Sequence, residues 1–203
     1  MSDDLRRVRA TVFAALKTPP VARPWRTDAA RVLLLNLGVS ALVLAGWALV
    51  QPAGLAPRWV SAGLLLALVV CGSVTAVRPG GRLTQLGVLA LAAVAGAGLL
   101  LTATGRGAEL PWLADADCAL AEIGVSLVPT VATALVLRRF SYRPLRTFIG
   151  GLAAGATGVL VLDLTCEIDA ASHVLAFHLA PCAVVALALV AARSKLRSQT
   201  FAP

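Results

Sequence analysis

Six long apolar blocks divide this chain, and their length limits what it can fold into. They run Val32–Val50, Trp59–Val77, Leu83–Leu101, Cys118–Leu137, Thr147–Leu164 and Ser172–Ala192. About 20 apolar residues in a helix cross the roughly 30 Å hydrocarbon core of a bilayer. Membrane barrel strands would instead appear as segments of about ten residues with alternating polarity. These blocks do not alternate, and they are rich in Leu, Ala, Val and Gly. With 59% hydrophobic residues, 14% charged residues and a mean hydropathy of +0.85, a water-soluble domain is excluded. The pattern predicts an all-α membrane protein built as a six-helix transmembrane bundle over residues 31–193. A polar amino-terminal segment, 1–30, precedes it and a short tail, 194–203, follows.

The net charge of +8 is explained by topology rather than by nucleic-acid binding. Of the 18 Lys and Arg residues, all but Arg58 and Arg106 fall in the terminal segments and in the gaps after the second and fourth blocks. The positive-inside rule then places both termini of a multi-pass protein in the cytoplasm. Most of the acids fall toward the opposite, outer side. The first block has too long an apolar run for a cleaved signal peptide, whose core is about 7–15 residues.

Residues 1–30 form the only sizeable polar segment. Leu5, Val8, Val12 and Leu16 recur at helical spacing, with Phe13 beside them, and the basic residues Arg6, Arg7 and Arg9 lie largely elsewhere. This is a short amphipathic helix. It is stopped by Thr18-Pro19-Pro20 and followed by a basic connector through Trp25 and Arg26. Such a helix suits either a groove on a partner protein or the surface of membrane lipid.

Chemistry-bearing residues gather at two block ends. Cys118 opens the fourth block and Cys166 follows the fifth; antiparallel helices would bring both to the outer rim. In a Gram-negative cell that side is oxidising, so a disulfide is open to them. Glu122 shares a helix face with Cys118, Asp163 shares one with Cys166, and His173 and His178 start the last block. Two thiols, imidazole and carboxylate are a plausible set for zinc, cadmium or copper, although no local metal motif is present. Pairing of Glu122 or Asp163 with His173 is the plainer alternative. Cys71 and Cys182, inside the second and sixth blocks, are read as buried apolar residues. Gly151 and Gly155 form a G-x-x-x-G pair that fits tight packing within the bundle, with a homodimer as the alternative. Pro129 and Pro181 are expected to bend their helices.

Enzyme signatures such as G-x-S-x-G, H-E-x-x-H and the P-loop are missing, and no loop is long enough for a catalytic domain. No enzymatic activity and no cofactor are expected. A membrane thiol-disulfide oxidoreductase would be expected to carry C-x-x-C, which is missing. A small transporter would need a polar midplane site, for which Asn36 and Asp163 are little material.

The order Cys118, Pro129, Arg138-Arg139, Pro144, Gly150 to Gly155, Cys166, His173 and Phe177-His178 resembles the NrsF family of membrane anti-sigma factors. Phe177 stands where a tryptophan is common in that family. The resemblance implies a protein that holds an extracytoplasmic-function sigma factor at the inner membrane, away from RNA polymerase. It makes the sigma factor, not nucleic acid, the direct partner. It implies that Cys118 and Cys166 belong to the signal-sensing apparatus; Glu122, Asp163, His173 and His178, read from their positions beside the thiols, are the candidate metal or polar support. It also turns Leu5, Val8, Val12, Phe13 and Leu16 into the expected sigma-factor-binding face.

Overall fold

A computed structural model gives the arrangement of residues 25–50, 58–103, 112–168 and 170–196. Within them all regular structure is helical. The elements are α1 (Trp25–Val50), α2 (Trp59–Val77), α3 (Arg82–Thr102), α4 (Trp112–Leu137), α5 (Pro144–Thr165) and α6 (Ala171–Lys195). All six are long and apolar enough to cross a membrane. At 1.5 Å per residue their 19–26 residues extend about 29–39 Å. The amphipathic helix expected over Leu5, Val8, Val12, Phe13 and Leu16 lies outside the described residues.

α5 is the axis of the bundle. Residues from its spanning stretch are 83% buried, against 17–44% for the other five helices. It packs on α2, α4 and α6, and α1 and α3 lie further out. Its small residues permit this. A Cβ at Gly151 would stand 2.5 Å from the Cα of Ala186, and one at Gly155 would stand 2.7 Å from the Sγ of Cys182. Both residues belong to α6, so the G-x-x-x-G pair is filled by a helix of the same chain. A Cβ at Gly158 would meet the Ser126 Oγ at 2.5 Å and the backbone oxygen of Glu122 at 2.7 Å, both on α4.

α1 reaches back beyond Val32 to include Trp25, and the polar residues there are paired instead of solvated. Asp28 is buried and accepts from Arg139 at 2.9 Å and from Arg31 at 3.4 Å. The guanidinium groups of Arg26 and Arg78 lie 5.9 and 5.8 Å from the Trp25 ring centroid. Two further arginines at the same end cap neighbouring helices. Arg146 donates to the Ala76 carbonyl at 2.6 Å and to that of Val77, satisfying the end of α2. Arg193, 1% exposed, donates to the Leu137 and Phe140 carbonyls at 2.8 Å each, tying α6 to the end of α4.

The structure corrects one thiol assignment. Cys182 is buried as expected, but Cys71 is exposed on the outer face of α2. Asn36, fully buried, donates to Ser73 at 2.8 Å, so it joins α1 to α2. A cavity of about 100 Å³ between α2, α3, α5 and α6 is lined by apolar residues, including Leu65, Ala95, Leu152 and Leu179. Neither feature supplies the polar midplane site that a transporter would need.

Candidate functional site

α5 ends at Thr165 because Cys166 leaves the helical conformation, at φ −80° and ψ 128°, while its N–H still bonds the Leu162 carbonyl at 2.7 Å. This turn carries the Cys166 thiol out of the α5 register and toward the start of α4. There its Sγ lies 3.6 Å from the Sγ of Cys118. The two residues that sequence reading placed at one rim therefore meet. No disulfide joins them.

α6 delivers two imidazoles to the same point. His173 lies in a first helical turn, Ala171–Val174, which is followed by a π-helical segment, Leu175–Leu179. In a regular α-helix, residues five apart point about 140° away from each other. The wider π turn brings them to one face, and the two rings meet edge to face at a centroid distance of 5.1 Å. Pro181 accounts for the widening. It has no N–H for the Phe177 carbonyl, and its ring would clash there. The Ala180 N–H accordingly bonds the Leu175 carbonyl five residues back. Pro181 was expected to bend the helix, and the local result is this wider turn.

The Nε2 of His173 lies 3.6 Å from the Cys166 Sγ. One donor atom from each of Cys118, Cys166, His173 and His178 falls within 4.8 Å of all the others. His173, His178 and Cys166 are buried, while Cys118 is half-buried, so the group is open on its Cys118 side. A hydrogen bond from Cys118 holds the Cys166 thiol well below the ordinary thiol range; burial opposes this, and His178 and the Ile168 backbone add to the lowering. The pocket thus favours a thiolate.

The two carboxylates stand apart from this group. Asp163, 1% exposed, accepts from Ser61 at 2.6 Å and pairs with Arg58 at 3.3 Å. Its partners are on and beside α2, and His173 is not among them. Glu122 is fully buried against α5, and neither of its carboxylate oxygens has a hydrogen-bond partner among the described residues. Sequence reading had grouped Glu122 and Asp163 with the thiols. Arg58 and Arg193 enter the sequence reading only as topology markers, since a charge count carries no pairing information.

The sequence profile of NrsF, negative regulator of sigma F, matches residues 13–197. The chain is also similar to the carotenogenesis protein CarR of Myxococcus xanthus. The identity is 33% over 204 residues, covering 98% of this chain and 90% of the relative. No solved structure matches.

Proposed function

This chain belongs to the NrsF family of negative regulators of sigma F, and from that premise we propose a membrane-bound anti-sigma factor for an extracytoplasmic-function sigma factor. It sits in the bacterial inner membrane with both termini in the cytoplasm, as the distribution of Lys and Arg supports. The amino-terminal segment, 1–30, sequesters the sigma factor by laying Leu5, Val8, Val12, Phe13 and Leu16 into a groove on it. The bundle, 31–193, anchors this segment in lipid, and no direct nucleic-acid contact is needed. Stress at the outer rim, either metal or oxidation, acts on Cys118 and Cys166 and releases the partner.

The observation that carries the sensing step is the meeting of Cys118 and Cys166 at 3.6 Å across two helices. A new bond at this point changes how α4 and α5 sit against each other. α4 leads to the opposite end of the bundle. There Arg193 holds the Leu137 carbonyl, and Arg139, just past the helix, pairs with Asp28. Asp28 lies in the first turn of α1, inside the same amino-terminal segment and downstream of its binding face. Rearrangement at the rim is thereby felt where the partner is held. This coupling is a proposal about two states of the bundle.

The oxidoreductase alternative needs the thiol pair to cycle during turnover, and the family is regulatory. In cells carrying a reporter for the target promoter, the Cys118→Ser/Cys166→Ser variant should repress normally and no longer respond to the inducing stress. An unchanged stress response in that variant would remove these thiols as the sensor.

A further inference from the structure

We infer that Cys118, Cys166, His173 and His178 form one tetrahedral site for a soft divalent cation of the zinc and cadmium class. This deepens the sensing role proposed above by naming what the rim binds, and it rests on that reading only for its link to the sigma factor.

The distances argue for an ion. Zinc binds thiolate at about 2.3 Å and imidazole nitrogen at about 2.0–2.1 Å. Tetrahedral angles then set sulfur–sulfur separations of about 3.8 Å and sulfur–nitrogen separations of about 3.5 Å. The observed values are 3.6 Å for Cys118 to Cys166 and 3.6 Å for Cys166 to His173. All four donors already fit within 4.8 Å, so coordination requires only small side-chain movements.

The donor chemistry selects the ion. Two sulfurs and two imidazoles suit zinc and its softer relatives, whereas magnesium and calcium take oxygen ligands. The carboxylates that would favour a hard ion are held elsewhere, Asp163 by Arg58 and Ser61 and Glu122 deeper on α4. Each sulfur binds as thiolate, and any proton it carries leaves to solvent. Two thiolates and two neutral imidazoles balance a dication, so the filled site is neutral. Neutrality matters for a group whose imidazoles are 3% and 1% exposed at the edge of an apolar bundle. The Nε2 of His178 is buried there without a hydrogen-bond partner among the described residues, a cost that a ligand would relieve. The π segment gains a purpose as well, since it alone turns His173 and His178 to the same side.

The test titrates cobalt(II) into the reduced, full-length protein in detergent. The expected result is one cobalt per chain, with the intense visible bands of a tetrahedral site and a sulfur-to-cobalt charge-transfer band, all displaced by zinc or cadmium. Loss of a supporting outer group typically costs 10–100-fold in metal affinity, so each of Cys118→Ser, Cys166→Ser, His173→Asn and His178→Asn should weaken binding by at least about 100-fold. Cys71→Ser should leave it unchanged. Helical circular dichroism of each variant reports folding. In the unaltered chain, zinc should protect Cys118 from a maleimide, which needs no substitution. An octahedral cobalt spectrum, unprotected Cys118, or full affinity in the His173→Asn/His178→Asn variant would overturn the site. A tetrahedral site whose filling leaves sigma-factor capture unchanged would support the site and count against the sensing reading.

Discussion

Asp163 shows what it takes to keep a charge inside this bundle. It is 1% exposed, and it is tolerable because Arg58 and Ser61 both point at it. Removing one member of such a pair strands the other, which costs several kcal/mol when both are buried. Arg58 is partly open to solvent, so Arg58→Ala should lower stability by about 2 kcal/mol. A shift of the thermal unfolding midpoint in detergent would report this, and an unshifted midpoint would show the pair to be idle. Glu122 is the opposite case. It is fully buried with no hydrogen-bond partner among the described residues, so Glu122→Gln should not destabilise the bundle, and the same melt should show an equal or higher midpoint. Sequence alone ranked these two acids together, because position near a helix end was all it could use. What separates them is the identity of the facing helix, which a single sequence does not state.

At the scale of elements, α5 governs the packing, and its glycines are the reason. Gly155→Leu would force its side chain into Cys182 on α6, and overpacking of this kind costs about 1–3 kcal/mol. Gly87→Leu on α3, where a Cβ meets nothing within 4 Å, should be neutral in the same assay. The helices themselves could be read from the chain. The second block, Trp59–Val77, coincides with α2, and the others grow by a few residues at their ends. Antiparallel geometry also brought Cys118 and Cys166 to one rim in advance. Two features were not readable. The spacing of His173 and His178 points them apart on a regular helix, so their meeting depends on a π turn that no periodicity announces. The arginines at the opposite end look like solvated charges in a count, yet Arg146 and Arg193 spend their donors on helix-end carbonyls. Cys71 was misread for a related reason: in lipid, an apolar residue is as well placed on the outer face as in the core.

At the scale of the whole molecule, a thiol and imidazole site at one end is proposed to act on the root of the amino-terminal segment at the other. The Asp28–Arg139 pair ties the first turn of α1 to the end of α4. Asp28→Asn should therefore leave the sigma factor captured but blunt its release, read as a reporter whose induced level falls at least about tenfold while its basal level holds. That factor corresponds to about 1.4 kcal/mol of lost coupling, within the usual range for linked sites. A reporter that still induces fully would place the coupling route elsewhere. The most direct measurement of the account is the partition of the cognate sigma factor between membrane and soluble fractions. It compares cells carrying the unaltered chain with cells carrying Leu5→Asp/Val12→Asp/Leu16→Asp, at equal membrane levels of both proteins. The account predicts sigma factor held with the membranes in the first and freed to the soluble fraction in the second. Equal retention in both would contradict the claim that the amino-terminal segment sequesters it.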